Sequence, residues 1–144
     1  MLNFDDLIIS NQDGLFYERL TDVPFTGEVT GKEQGKISKG KREGEWLWYF
    51  ENGQLNIKNN YKDNKLEGEW LWYFENGQLK YKSNFKDGKQ EGEFLYYYEN
   101  GQLWIKNNYK NGKLEGERLV YYENGQLEKT EIYKDAKLIK TIKP

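Results

Sequence analysis

The feature that most constrains the fold is a repeat with a period of 24 residues. Its clearest copy runs from Gly44 to Lys65, with the sequence GEWLWYFENGQLNIKNNYKDNK, and the tetrapeptide ENGQ occurs four times at the same spacing. Self-similarity at a short, fixed period is typical of arrays in which one supersecondary unit stacks on the next. The sequence therefore predicts a repeat array and not a globular domain with a single cleft.

Each repeat is predicted to be a β-hairpin. Asn-Gly pairs tolerate the positive φ that a type I′ turn demands at both central residues, and here they lie between alternating apolar runs. A second turn per repeat, at Asp63-Asn64 and its counterparts, is predicted to use the same chemistry more loosely, and Asp135-Ala136 fits it poorly because of Ala136. The structural positions of the repeat are its first glycines, its Trp residues and its Asn-Gly turns: Gly44, Gly68, Gly92, Gly116, Trp46, Trp70, Asn52, Gly53, Asn76, Gly77, Asn100, Gly101, Asn124 and Gly125.

Side-chain alternation assigns the two faces of the predicted sheet. Pairing across Asn52-Gly53 sets Phe50 opposite Leu55 and Trp48 opposite Ile57, which builds one aromatic face. The other face is polar except for a stripe of Leu and Tyr residues: Leu47, Leu71, Leu95, Leu119, Tyr49, Tyr73, Tyr97 and Tyr121.

The same register predicts how the glycines and the turns fit the sheet. Gly44 faces Tyr61, and a ring lying over each repeat glycine would compensate for the weakness of glycine in a strand. Two two-residue turns would leave strands of unequal length, so a bulge or a longer loop is expected to absorb the resulting shift.

The predicted fold class is all-β, an elongated antiparallel single-sheet meander of repeated β-hairpins with the shape of a ribbon or half-pipe. Residues 1–144 form one domain. Within it, residues 1–43 hold divergent N-terminal strands and a shortened repeat, residues 44–139 hold four repeats, and residues 140–144 are a tail. The atypical first repeat and the charged C-terminal segment are expected to protect the open sheet edges.

Composition excludes several classes of function. The net charge is −2 with Lys and Glu interleaved, so nucleic acid is not an expected partner. Cys and His are absent, which excludes disulfides, thiolate or imidazole metal sites, and Ser-His-Asp or Cys-His catalysis. The repeated carboxylates, such as Glu67, are equivalent and solvated, unlike the two distinct carboxylates of a glycosidase. We therefore expect no enzymatic activity and no cofactor.

One tryptophan breaks the pattern of the repeat. Strict alternation places Trp104 on the polar face, where its counterparts are Asn56, Lys80 and Glu128. The predicted partner-binding residues are Trp104 and the stripe around it: Tyr97, Leu95, Tyr73, Leu71 and Tyr49. The rings of the aromatic face are either binding anchors or the only core that such a sheet has. Lys58 is expected to form a weak cross-strand ion pair with Glu69.

The pattern GEWxxYxENGQLxxxxxYKxGKxEG resembles the MORN (membrane occupation and recognition nexus) repeat in its bacterial variant form. The residues that carry the resemblance are Gly44-Glu45-Trp46, Tyr49, Asn52-Gly53, Tyr61-Lys62 and Lys65–Gly68, with their counterparts through Tyr133. The resemblance implies a sheet of repeated hairpins that is used for binding. Bacterial proteins of this kind are often labelled antitoxin components of toxin–antitoxin systems.

Three functions follow as hypotheses. The first is a non-enzymatic scaffold for protein–protein interaction, with an antitoxin-like role as its narrower form; an exposed aromatic face would also favour a homodimer. The second is phospholipid recognition. The third is glycan or cell-wall binding, which a secretion signal in the full gene would favour. Because MLNFDDLIIS has no basic segment and no long apolar run, a cytoplasmic location is expected.

Overall fold

The computed structural model describes all 144 residues, Met1–Pro144. It has seventeen strands and a single turn of 3-10 helix at Phe4–Asp6. The strands are β1 (Leu2–Asn3), β2 (Leu7–Ile9), β3 (Phe16–Glu18), β4 (Gly27–Thr30), β5 (Glu33–Ser38), β6 (Lys41–Tyr49), β7 (Leu55–Lys62), β8 (Lys65–Leu66), β9 (Gly68–Tyr73), β10 (Leu79–Lys86), β11 (Lys89–Gln90), β12 (Gly92–Tyr97), β13 (Leu103–Lys110), β14 (Lys113–Leu114), β15 (Gly116–Tyr121), β16 (Leu127–Lys134) and β17 (Lys137–Ile142). The chain contains no helix of the length and apolar character that a membrane span requires.

Fifteen strands form one open sheet in which neighbours in sequence are neighbours in space. The order is β1-β4-β5-β6-β7-β9-β10-β12-β13-β15-β16-β17, and β8, β11 and β14 pair with β7, β10 and β13. Every pairing is antiparallel except that of β1 with β4, and β2 and β3 form a separate two-stranded sheet. The predicted all-β, single-sheet hairpin meander is therefore confirmed.

The ENGQ turns differ from the predicted type I′ geometry. In the first of them only Gly53 has a positive φ, at 85°, and Asn52 does not. The Phe50 amide donates to the Gln54 carbonyl over 2.8 Å, and the Gly53 amide donates to the Phe50 carbonyl over 3.0 Å. This is a three-residue loop with glycine in the left-handed position. Asn52 is suited to it by its side chain, because Asn52 Oδ1 accepts a hydrogen bond from the Gln54 amide at 2.9 Å.

The type I′ turns lie at the opposite ends of the hairpins. Asp63 and Asn64 have φ values of 52° and 67°, and the other three turns of this set repeat the pattern. Ala136, which the sequence marks as a poor fit, is held at φ 66° in the last of them. The type I′ prediction is therefore wrong for the ENGQ loop, where the Asn side chain satisfies the loop without a left-handed asparagine. It is confirmed for the second turn, which the sequence predicts to use the same chemistry more loosely.

Bulges absorb the mismatch in strand length, as expected. Trp48 pairs with Ile57 as predicted, but Leu55 pairs with Tyr49 and not with Phe50, since Asn56 is an extra residue between the two pairs. The predicted pairing of Phe50 with Leu55 is therefore wrong. The same one-residue bulge occurs in the other three hairpins, where the extra residues are Lys80, Trp104 and Glu128. We refer to Asn56, Lys80, Trp104 and Glu128 as the bulge position.

The repeat glycines pair as predicted, but for a different reason. Gly44 pairs with Tyr61, and Gly68, Gly92 and Gly116 pair with the equivalent aromatic residues. A Cβ atom at any of these four glycines would meet nothing within 4 Å, so no ring lies over them. Their φ values of 71° to 80° are what requires glycine, since L side chains rarely adopt this conformation.

One cluster of buried apolar residues lies at the N-terminal end. Leu7, Phe16, Val29, Ile37 and Trp46 form it. Trp46 is fully buried, and its indole ring lies directly over Gly35, where a Cβ atom would overlap the ring. At the other end β17 is exposed along its whole length, and its range Lys137–Ile142 includes the first residues of the predicted tail, 140–142. A second layer therefore covers the sheet at its first repeat. Beyond it, the buried apolar residues lie within the single layer of the sheet: Tyr81, Phe85, Phe94, Ile105 and Val120.

Candidate functional site

The aromatic face is a set of cross-strand rows in which the rings of successive hairpins meet. One row consists of residues that pair directly across the sheet: Trp48, Ile57, Trp72, Tyr81, Tyr96, Ile105 and Val120. Tyr81 lies at its centre, with its ring centroid 4.4 Å from that of Phe94 and 5.0 Å from that of Tyr96, both in edge-to-face geometry. Burial raises the pKa of Tyr81 and that of Tyr96 above the ordinary value.

The first repeat of this face is covered by the N-terminal segment. Phe4 and Phe16 pack edge to face, and Phe4 also contacts Trp46 with a centroid distance of 6.0 Å. The Arg42 guanidinium carbon lies 4.9 Å from the ring centroids of both Phe16 and Trp46. Arg42 also forms an ion pair of 3.3 Å with Glu33. The rings of Phe4 and Phe16 and the guanidinium of Arg42 therefore cover Trp46 at this end of the aromatic face.

The bulge position brings its side chains onto the aromatic face. Asn56 Oδ1 accepts a hydrogen bond from the Trp72 indole Nε1 at 3.0 Å. The Lys80 ammonium lies 4.4 Å from the Trp72 ring centroid and 5.5 Å from that of Phe74. A cavity of about 500 Å³ opens here, and its lining includes Phe50, Trp72, Phe74 and Lys80.

Trp104 lies on the aromatic face, so its predicted placement on the polar face is wrong. Its ring stacks on that of Tyr98 with a centroid distance of 5.3 Å and an interplanar angle of 27°, and it contacts Tyr96 at 6.0 Å. The Tyr98 hydroxyl donates a hydrogen bond to the Tyr121 carbonyl at 2.7 Å. Strict alternation fails at Trp104 because the bulge adds one residue to the strand, which reverses the side on which the next side chain points.

The other predicted contact residues remain on the opposite face and are separated from Trp104. Leu47, Leu71 and Leu95 alternate with lysines in a continuous cross-strand row: Leu47, Lys58, Leu71, Lys82, Leu95, Lys106 and Leu119. Tyr49, Tyr73 and Tyr97 pair with leucines beside that row, and all eight residues of the predicted stripe are half-buried.

The ion pairs of this face connect the two strands of a single hairpin. Lys58 lies 3.3 Å from Glu45, so the predicted partner Glu69 is wrong; Glu69 instead pairs with Lys82 at 3.5 Å. The reason is that Lys58 pairs with Leu71 across the next strand boundary, which leaves Glu69 farther along the ladder. These partly exposed pairs are each worth less than about 1 kcal/mol.

The repeated carboxylates have a structural role that the sequence did not indicate. Each accepts a hydrogen bond from the first central amide of the next type I′ turn, at 2.8 to 2.9 Å. We call this set the turn ladder; it joins Glu43 to Asp63, Glu67 to Asp87, Glu91 to Asn111 and Glu115 to Asp135. The signal that could have found it is the constant separation of 20 residues between each carboxylate and its turn. No three acidic side chains come together in a geometry that could hold a metal ion.

Comparison with known proteins agrees with this architecture. The model of the family described as MORN repeat variant matches four times in tandem, at residues 42–63, 66–87, 90–111 and 114–135. No curated protein matches the sequence. Because the matched segments together make up more than half of its length, the chain belongs to the MORN-repeat family.

Proposed function

We propose that the chain is a non-enzymatic scaffold that binds a protein partner across the aromatic face of its second and third repeats. Repeats of this family generally mediate protein or lipid interactions and act as non-catalytic binding modules. The observation that carries the proposal is the uneven cover of the face. Trp46 of repeat 1 is fully buried against Phe4, whereas Trp72 and Tyr98 are half-buried and Trp104 is exposed.

The uncovered rings suit a protein ligand in size and chemistry. Four strands at a spacing of about 4.8 Å make the exposed aromatic surface about 20 Å wide. That width matches a protein interface, and Trp and Tyr are the side chains that most often dominate such interfaces. Trp104 keeps 41% of its surface exposed, whereas Trp46 in the first repeat is fully buried. The stripe of Leu71, Leu95, Tyr49, Tyr73 and Tyr97 remains a prediction for a second contact surface on the opposite face.

The test is a pull-down from the source organism's lysate with two matched baits. Trp72→Ser with Trp104→Ser removes two rings from the aromatic face, and Tyr73→Ser with Tyr97→Ser removes two rings from the opposite face. We expect a stoichiometric partner that the first variant loses and the second retains, with circular dichroism showing that both are folded. Loss with the second variant alone would move the site to the stripe. Capture of no protein by the unmodified chain would contradict the scaffold.

Two narrower forms of this proposal have their own experiments. If the role is antitoxin-like, co-expression with the product of an adjacent gene should relieve a growth defect that the product causes alone. Absence of a defect, or absence of relief, would contradict that role.

If the partner is a second copy of the chain, light scattering after size exclusion should give twice the monomer mass of 17.3 kDa, and Trp104→Ser should reduce the measured mass.

Phospholipid binding is the second candidate, and one feature favours it. Exposed lysines flank the type I′ turns of the four repeats along one edge of the ribbon: Lys62, Lys65, Lys86, Lys89, Lys110, Lys113, Lys134 and Lys137. Their row is regular because successive turns stack, with the Gly88 amide donating to the Leu66 carbonyl at 2.9 Å. Rows of lysine attract anionic lipid headgroups.

Liposome flotation tests this candidate. Binding to vesicles with anionic lipid, weakened by a change of Lys86, Lys89, Lys110 and Lys113 to Gln, would support it. Equal behaviour of the two proteins, or flotation with purely zwitterionic vesicles, would contradict an electrostatic lipid site.

A further inference from the structure

The aromatic face holds a cation of the chain itself in each of its first two repeats. In repeat 1 the Arg42 guanidinium lies within 4.9 to 5.8 Å of five ring centroids, among them those of Trp46, Trp48 and Tyr61. In repeat 2 the Lys80 ammonium lies over the Trp72 ring. Contacts of this length fall within the range in which a ring quadrupole attracts a cation.

Repeat 3 has the rings but no cation of its own. The residue equivalent to Lys80 is Trp104, and the residue equivalent to Arg42 is Gln90. No lysine or arginine of the chain lies over Tyr96, Tyr98 or Trp104. We call these three rings the ring box. Its rings are the ones that lack the cationic partner found in the two preceding repeats.

The ring box is held in place before any ligand arrives. The Tyr98 hydroxyl is fixed by its hydrogen bond of 2.7 Å to the Tyr121 carbonyl, and the stacked Trp104 ring contacts Tyr96 from the other side. Trp104 still exposes 41% of its surface. A preorganised and accessible set of rings loses little conformational entropy when a ligand binds.

The surroundings of the ring box are negative. Desolvation raises the pKa of Tyr98, and the nearby carboxylates of Glu123 and Glu128 raise it further. Neither of these two carboxylates takes part in an ion pair within the chain. Glu128 occupies the bulge position of repeat 4, the same place that Trp104 and Lys80 occupy in repeats 3 and 2. Unpaired carboxylates next to a set of rings complement a positively charged group.

From these observations we infer that the ring box of Tyr96, Tyr98 and Trp104 binds a lysine side chain of the protein partner. Lys80 on Trp72 shows that this face accepts a cation against a ring. In repeat 3 the side chain of Trp104 occupies the position equivalent to Lys80, so the partner's lysine would lie against the exposed part of the Trp104 ring, with the carboxylates of Glu123 and Glu128 nearby. This inference rests on the proposed function, because it specifies the chemistry of the partner that the aromatic face recognises.

The experiment compares two short peptides that differ only in charge, one with a central lysine and one with norleucine in its place. Isotope-labelled protein is titrated with each at millimolar concentration, and the amide signals of Tyr96 and Tyr98 are followed by NMR. We expect saturable shifts with the lysine peptide and about five- to tenfold weaker binding of the norleucine peptide. Equal affinities would overturn the inference, because they would mean that the rings bind apolar surface without regard to charge.

Two variants test the site itself. Trp104→Lys gives repeat 3 the lysine that repeat 2 already has, and we expect it to abolish binding of the lysine peptide. Glu123→Gln with Glu128→Gln keeps every ring, and we expect it to weaken binding about threefold and to reduce its dependence on salt. Unchanged binding by Trp104→Lys would overturn the inference.

The outcome can be separated from that of the scaffold proposal. If Trp104→Lys still captures the partner from the lysate, the scaffold proposal is supported and the ring box is excluded as the binding site. Saturable, charge-dependent binding of the lysine peptide by a chain that captures no partner would support the ring box as a lysine site and contradict the scaffold proposal.

Discussion

At the scale of single residues, the backbone at Ala136 is the clearest source of instability. Its φ of 66° lies in the left-handed region, where its counterparts are Asn64, Gly88 and Gly112. A Cβ atom in that region costs about 1 kcal/mol or more, partly offset by the lower flexibility of alanine in the unfolded chain. We predict that Ala136→Gly raises the free energy of unfolding by about 0.5–1 kcal/mol, measured by urea denaturation.

Gly112→Ala is the matched control for Ala136→Gly. The two turns make equivalent hydrogen bonds, from the Ala136 amide to the Leu114 carbonyl at 3.0 Å and from the Gly112 amide to the Gln90 carbonyl at 2.9 Å. A Cβ atom at Gly112 would lie 3.6 Å from Lys89 Cβ, which is an ordinary contact. We therefore expect Gly112→Ala to lower stability by a similar amount. Changes of the same sign in both variants would contradict backbone strain as the cause.

Tyr81 gives a prediction on the dependence of stability on pH. Burial raises its pKa in the folded protein above the ordinary value of about 10 that it has when unfolded. Its contribution is therefore fully present below about pH 10 and is lost as the pH rises towards the folded-state pKa, because the unfolded chain gives up the proton more readily. We predict that alkaline pH lowers the urea midpoint of the unmodified protein more than that of Tyr81→Phe.

The measurement is a series of urea unfolding curves between pH 8 and pH 11.5. Tyr122→Phe removes the same hydroxyl from an exposed ring and serves as the control, so it should follow the unmodified protein. The difference in midpoint between Tyr81→Phe and the unmodified protein should change sharply above about pH 10. A difference that stays constant across the series would show that Tyr81 does not contribute to alkaline unfolding.

At the scale of the elements, the turn ladder fixes each hairpin to the next. A carboxylate that accepts a backbone amide hydrogen bond contributes about 1 kcal/mol when the site is partly exposed. We predict that Glu91→Ala lowers the free energy of unfolding by about that amount, and that changing Glu67, Glu91 and Glu115 to Ala together lowers it by about 3 kcal/mol. The three sites share no partner, so their effects should add.

The matched control for the turn ladder uses the carboxylates at the other end of the hairpins. Glu75, Glu99 and Glu123 stand in the ENGQ turns, and their side chains accept no hydrogen bond from the chain. Changing all three to Ala should alter stability by less than about 0.5 kcal/mol per site. An equal loss of stability in the two triple variants would point to a general charge effect and not to the ladder.

The elements also show how far the sequence could predict the structure. The period, the hairpins and the pairs Gly44–Tyr61 and Trp48–Ile57 were all predictable, because alternation and turn residues encode them locally. The face on which Trp104 lies was not predictable. One bulged residue moves a side chain to the other face, and the alternation of apolar and polar residues gives no sign of the bulge. The geometry of the ENGQ turn was not predictable for a similar reason: Asn52 suits either turn type, and its side-chain hydrogen bond decides between them.

At the scale of the whole molecule, the array depends on contacts between neighbours. Each hairpin pairs only with the strands before and after it, and a fully buried tryptophan is found only at Trp46, where the N-terminal segment adds a second layer. In the last repeat Arg118 and Lys129 surround the buried carboxylate of Glu131, at 3.7 and 4.0 Å, in place of packed rings. The interior of such an array should therefore tolerate the loss of a complete unit, provided that both ends remain.

This property gives a prediction on length. Deletion of residues 66–89 removes one 24-residue period and joins Lys65 to Gln90, which is the equivalent of Leu66. Every bulge, turn and face then keeps its register, so we expect a folded chain about 10 Å shorter, as measured by small-angle X-ray scattering.

Deletion of residues 66–88 differs by one residue and is the control. It reverses the faces of all following strands, so it should unfold the C-terminal half or leave it aggregated. If both deletions gave equally folded ribbons, the register would not be set by the repeat, and if neither folded, the stability of the array could not come from contacts between neighbouring hairpins.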